Sequence, residues 1–134
     1  MKKIDGYFYE EETEKIRRAC AAIWNELGGS FKEVVVDRAL TIALRKEGLS
    51  VEDQKRIDIY YEGQKVGTYV FDKVINEIIA IEVKCKPFLS EEDKRQFWRY
   101  LKGSNYLVGY LINFSPRRTE VFRRIYDQAR AKSV

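Results

Sequence analysis

Gly67-Thr68-Tyr69-Val70-Phe71-Asp72 and, five residues later, Ile78-Ile79-Ala80-Ile81-Glu82-Val83-Lys84-Cys85 are the two runs that decide the fold. Both read as strands. Side chains alternate along a strand, so Glu82 and Lys84 share one face, roughly 6–7 Å apart. Ala80 joins them there, while Ile79, Ile81, Val83 and Cys85 take the other face. The second run is almost continuously apolar through Ile81, the pattern of a central strand covered on both sides. A carboxylate and an ammonium in such a strand cost free energy unless something uses them. A hairpin turning at Asn76-Glu77 brings Asp72 beside Glu82. Two carboxylates that close repel unless a cation or a proton lies between them. Asp72, Glu82 and the Val83 carbonyl therefore form a candidate site for a divalent cation. Lys84 is placed to orient a water or to stabilise charge developing in a transition state. The competing reading is a surface ion pair where the sheet opens to water, which contributes little.

Outward from these runs the pattern alternates between helix and strand. Residues 1–10 read as an irregular lead. Glu11 to Leu27 has a helical stripe of Ile16, Ala19, Cys20, Ile23, Trp24 and Leu27, closed by Gly28-Gly29. Ser30 with Glu33 reads as a capping box opening a second helix that runs to about Glu47. Phe31, Val34, Val35, Leu40, Ala43 and Leu44 are available for its buried face. Arg56–Tyr61 and Lys65–Val74 read as strands around a turn at Glu62-Gly63-Gln64. Pro87 closes the third strand, and Ser90 caps a third helix ending at Lys102-Gly103. Tyr106–Asn113 and Thr119–Ile125 complete the strands, and a basic tail runs to Val134. The order α-α-β-β-β-α-β-β implies an α/β fold with a mixed central sheet flanked by helices.

Composition narrows the chemistry. The chain has 134 residues, 45% hydrophobic and 34% charged, which fits one folded domain with a real core. No apolar stretch approaches the roughly 20 residues that span a bilayer, and no signal-peptide core follows Met1, so a cytoplasmic protein is expected. Cys20 and Cys85 match no metal spacing and read as reduced thiols. Histidine is absent, which excludes histidine triads and histidine-ligated zinc. Carboxylate sites suit Mg²⁺ or Mn²⁺. The net charge of +4 is a mild bias towards polyanions.

Other residues have everyday readings beside functional ones. Glu33 needs no role beyond the capping box. Gln96 and Tyr100 share a helical face, and Trp98 with Phe97 and Leu101 reads as core. Arg117, Arg118, Arg123, Arg124, Arg130 and Lys132 either track a phosphate backbone or form a solvated face. No glycine-rich phosphate loop, nucleophile elbow or zinc motif is present.

Several segments together carry a resemblance. They are Leu27-Gly28-Gly29-Ser30-Phe31-Lys32-Glu33, Ala39-Leu40, Tyr60-Tyr61-Glu62-Gly63-Gln64-Lys65-Val66-Gly67, Asp72, Ile81-Glu82-Val83-Lys84, Gln96 with Tyr100-Leu101-Lys102, and Gly109-Tyr110-Leu111-Ile112-Asn113-Phe114. In this order and spacing, over roughly residues 12–126, the chain resembles the GxxExxY protein family, grouped with the PD-(D/E)XK nuclease-like superfamily. The resemblance implies a restriction-endonuclease-like core in which Asp72, Glu82 and Lys84 are the catalytic triplet. It places Glu33 near the metal, on the first core helix, and Gln96 facing the site. Ser30 and Val36 stand where the family's naming motif has glycine and tyrosine.

The expectation is a Mg²⁺- or Mn²⁺-dependent nuclease acting on nucleic acid, DNA before RNA, in one domain spanning 1–134. Asp72, Glu82, Val83 and Glu33 are its candidate metal ligands. Tyr100, Lys102, Arg117 and Arg118 are its candidate nucleic-acid contacts. A chain this small, with no separate specificity domain, is expected to work as a homodimer or with a partner protein. The alternatives are an inactive nucleic-acid- or protein-binding module with the same fold, and a structural subunit whose Asp72–Lys84 and Glu82–Lys84 pairs only hold the sheet.

Overall fold

The two opening runs do form neighbouring strands. A computed structural model describes residues 3–4 and 7–125, with side chains from Tyr9 onward. Two-residue strands β1 (Lys3–Ile4) and β2 (Tyr7–Phe8) pair where the sequence suggested an irregular lead. Helices α1 (Glu10–Leu27) and α2 (Glu33–Lys46) follow. Next come strands β3 (Val51–Tyr61), β4 (Gln64–Ile75) and β5 (Ile79–Lys84), helix α3 (Glu91–Lys102), and strands β6 (Val108–Phe114) and β7 (Thr119–Ile125). The basic tail with Arg130 and Lys132 lies outside the described residues.

The five longer strands form one sheet in the order β3-β4-β5-β6-β7. β5 and β6 run parallel, with Glu82 opposite Leu111 and Lys84 opposite Asn113; the other neighbours are antiparallel. This is the expected mixed sheet with its α-α-β-β-β-α-β-β order. The helices α1 and α2 cover one face, where Ile16, Cys20, Val36, Leu40 and Leu44 pack on Ile79, Ile81, Val83 and Tyr110. On the other face, α3 buries Phe97 and Leu101 against Phe71, Val74, Ala80 and Leu111. β5 is thus sandwiched, which explains its unbroken apolar run.

Two local expectations fail. Ser30 does not cap α2: the helix begins at Glu33, and Lys32 stands at the cap position with no side-chain cap. Packing at Gly29 overrides the capping signal. A Cβ at Gly29 would collide with the Ser115 carbonyl, the Trp24 ring and Pro116, so the loop is pressed onto the end of β6 and enters the helix late. The buried positions of α2 are accordingly Val36, Leu40 and Leu44, while Phe31, Val34 and Val35 are exposed. By contrast, Ser90 caps α3 as predicted, in a reciprocal box with Asp93. The second failure is β3, which starts at Val51 and not at Arg56. It is an edge strand, so the charged stretch Glu52–Lys55 can face water without spoiling the ladder.

One irregularity shapes the crevice between β4 and β5. Gln54 has a left-handed backbone (φ 52°) and, like Asp72 across from it, is skipped in the β3–β4 register. Below this point Asp53 and Lys73 point towards α2, where they meet Thr41 and Asp37. Above it Ile57, Tyr69 and Phe71 pack on the α3 side. The side-chain alternation therefore inverts at Asp72, at the point where the sheet begins to split.

Candidate active site

β4 and β5 stay paired only as far as Lys73 opposite Ile81. Beyond that the strands part, and side chains occupy the gap. The Asp72 carboxylate accepts the Val83 backbone N–H at 2.7 Å, and the Asp72 N–H reaches Glu82 Oε1 at 3.4 Å. The Tyr69 hydroxyl donates to Glu82 Oε2 at 2.9 Å. Asp72 and Glu82 are thus brought together as the sequence predicted, in the crevice where the strands diverge.

Burial and proximity decide their charge. Glu82, only 9% exposed, is pushed up to about 7 by burial and next by the Asp72 charge; the Tyr69 hydroxyl and Lys84 pull the other way. Asp72 is pushed up to about 6, chiefly by burial, with Asp37 and Glu33 adding to the rise and the Val83 N–H opposing it. Burial and the Glu82 charge also raise the Tyr69 hydroxyl far above its ordinary value, so it remains a donor. Such paired, desolvated carboxylates are a recurrent mark of functional sites.

Lys84 is half-buried, close enough to stabilise the Glu82 charge, yet makes no ion pair with a described residue. The structural-subunit reading needs Asp72–Lys84 and Glu82–Lys84 pairs, and neither forms. Glu33 opens α2 and is exposed; its charge acts on Asp72 and on the half-buried Cys85. It lies near the site but outside the carboxylate hydrogen-bond network. Among the described residues no three acidic or cysteine side chains gather into a ready-made metal cage. Both cysteines are free, and burial raises their thiols, Cys20 to about 12 and Cys85 to about 11.

The remaining candidates divide. Tyr100 stacks on Tyr69, ring centroids 3.8 Å apart and planes 11° apart, which puts it one residue from Glu82. Gln96, one helical turn earlier, is exposed, and its side chain makes no hydrogen bond with a described residue. Arg117 and Arg118 sit in the turn after β6, beside Pro87 and Phe88, at the same end of the sheet as Lys84. Arg118 pairs with Glu120 at 3.5 Å. Lys102 is exposed at the last residue of α3, where the chain turns back towards the start of β6. Arg123 turns inward instead, donating to the Tyr110 hydroxyl at 2.8 Å.

Three supporting groups escape a reading of the sequence. Tyr69 is one, because its reach to Glu82 depends on the inverted alternation. Lys73 is another: this fully buried lysine pairs with Asp37 on α2 and lies 3.6 Å from Asp53. It ties α2, and with it Glu33 one turn before Asp37, to the strand that carries Asp72. The third is Asn113, fully buried, which accepts from the Lys86 N–H and donates to the Lys86 carbonyl, each at 2.9 Å. It fixes the chain just after Lys84. The alternation of polar residues within otherwise buried runs was the available signal for Lys73 and Asn113.

Among the described residues no helix is long and apolar enough to cross a membrane. No curated protein matches the chain. The crystal structure of SSO0001 has a similar fold, with a TM-score of 0.52 and 20% sequence identity. The similarity covers 93% of this chain and 66% of that one, so the chain spans just under two thirds of its length. A family model described as the PD-(D/E)XK nuclease superfamily matches residues 10–125. The chain belongs to the PD-(D/E)XK nuclease superfamily.

Proposed function

We propose that the chain is a divalent-metal-dependent phosphodiesterase that cleaves nucleic acid, DNA before RNA. The observation that carries this reading is the buried Asp72–Glu82 pair, both carboxylates pushed towards neutrality, beside a lysine with no ionic partner among the described residues. The donor set fits a hard cation: two close carboxylates that a shared cation would let ionise together. Asp72 and Glu82 would hold Mg²⁺ or Mn²⁺, with the Val83 carbonyl and Glu33 as further donors. When bound, the ion supplies Lewis acidity to a phosphoryl oxygen and to water.

The protein's own part is positioning. Tyr69 fixes one oxygen of Glu82, the Val83 N–H fixes Asp72, and Lys84 presents a positive charge to the anion that develops on phosphorus. Gln96 and Tyr100 face the substrate from α3, and Arg117 and Arg118 from the far end of the crevice. The finer grouping with GxxExxY proteins rests on the motifs in the sequence, of which Glu33 is the retained naming residue.

Cleavage of single- and double-stranded DNA and RNA with Mg²⁺ and with Mn²⁺ tests the proposal. Cleavage should require a cation and fall at least a hundredfold in Lys84→Ala, on the order of the contribution of one transition-state charge partner. Equal activity in wild type and Lys84→Ala on every substrate would sink it. One observation favours the inactive binding module: both Glu82 oxygens and Asp72 Oδ2 already hold hydrogen bonds within the protein. That reading predicts nucleic-acid binding without any cation-dependent cleavage.

A further inference from the structure

We propose that the outer flank of α3, together with the end of β7, is a second nucleic-acid docking surface, which grips phosphate backbone flanking the site of cleavage. The inference rests on the reading of the substrate as nucleic acid. Lys94, Arg95, Arg99 and Lys102 of α3 and Arg124 of β7 line one hollow around Trp98, with Glu91 the one acid among the described residues of the lining. The α3 positions recur at three- and four-residue spacing, so they form a row along the helix, about 5.4 Å per turn.

Two of the cations are held in place. The Arg124 guanidinium lies over the Trp98 ring, 5.0 Å from its centroid, and Lys94 Nζ lies 4.2 Å from the centroid of Phe122. Aromatic faces thus pre-position positive charge, which lowers the entropy lost on gripping an anion. Glu91 and Glu92 pair with Lys94 and Arg95 at 3.6 and 3.0 Å. Both acids are exposed, and surface pairs of this kind contribute little. Arginine forks match phosphate oxygens better than single ammonium groups do.

The occupant follows from the surface chemistry. Protein interfaces have an apolar centre depleted in charge. This hollow is the reverse: cations dominate its described lining, and the Trp98 ring among them is already covered by a guanidinium. The same helix turns Tyr100 towards Tyr69 and Glu82 on its other flank. A strand leaving the crevice can therefore cross the exposed ridge of Gln96, Arg99 and Arg95 and settle in the row.

Fluorescence anisotropy with labelled duplex and single-stranded DNA, read against salt concentration, tests the surface. All proteins in the assay carry Glu82→Gln, so cleavage does not interfere. Combined Arg95→Gln, Arg99→Gln and Arg124→Gln should weaken binding at least tenfold and lower the duplex salt slope by about 2–3, at about 0.9 per phosphate contact. Arg99→Gln alone should lower it by about 0.9. Lys15→Gln, Arg18→Gln and Lys46→Gln together remove equal charge from the α1–α2 side and should change the slope much less. Equal losses in the two triple variants, or a wild-type slope in the α3 triple, would overturn the proposal. So would displacement of the DNA by polyglutamate at matched charge, the mark of an acidic protein partner. If wild type cleaves nothing yet the α3 triple loses its slope, the phosphodiesterase reading falls and the docking surface stands.

Discussion

Glu82 shows how burial and neighbours set the charge of a single carboxylate. It lies on a buried strand, where charge is costly, and is held by Tyr69 and by the Asp72 backbone. Its neighbour Lys84 was legible from the Glu-x-Lys spacing, and Asp72 from the hairpin geometry. Tyr69 was not, although it lies within the same run. A regular strand would put Tyr69 and Asp72 on opposite faces; only the inverted alternation brings both to Glu82. Tyr69→Phe keeps the stack on Tyr100 and removes one donor from a charged group, so it should cost about 1–3 kcal/mol. The loss should be larger at pH 8 than at pH 5, because Glu82 is pushed up to about 7 and is charged only at the higher pH. Urea unfolding at the two pH values measures it, and equal losses at both would show that Tyr69 does not hold the charged form of Glu82.

At the scale of elements, turns tell where local sequence rules and where the fold overrides it. The β3–β4 turn uses Glu62 and Gly63 and the β4–β5 turn Asn76 and Glu77, all four with positive φ. Turns of this class favour Asn-Gly because both central residues are left-handed. Gly63 and Asn76 satisfy the rule, which is why both turns were readable. Glu62 and Glu77, at φ 49° and 61°, do not. Glu77→Gly should therefore stabilise the protein by about 1 kcal/mol, read as a higher urea midpoint with an unchanged slope; a lower midpoint would show that the turn is not strained. The α2 cap failed for the opposite reason. Ser30-x-x-Glu33 is a valid local signal, but the contact of Gly29 with the end of β6 decides where the helix starts, and no local pattern encodes that contact. The order of elements along the chain and the mixed sheet flanked by helices were legible because apolar periodicity is strong there. The point at which β4 and β5 part was not, since it coincides with an inversion of the alternation at Asp72 that no local pattern encodes.

The whole molecule carries the site as a store of unfavourable charge. Asp72, pushed from 3.8 to about 6, and Glu82, pushed from 4.5 to about 7, bind protons more tightly folded than unfolded. Their stabilising effect is therefore complete below about pH 4 and is lost as pH rises through 6 and 7. Asp93 has the opposite sign: Lys86 holds it down near 2, so its contribution is lost only in stronger acid. The metal-free protein should accordingly unfold at a lower temperature at pH 8 than at pH 5. A cation shared by Asp72 and Glu82 should reverse this at pH 8, adding about 2.7 kcal/mol at a hundredfold excess over its Kd, roughly 10 °C in the midpoint. The most direct measurement is thermal unfolding at pH 8 with and without Mn²⁺, for wild type and Glu82→Gln. A cation held between Asp72 and Glu82 predicts a large upward shift in wild type that Glu82→Gln loses. No shift in wild type, or the same shift in both proteins, would contradict it.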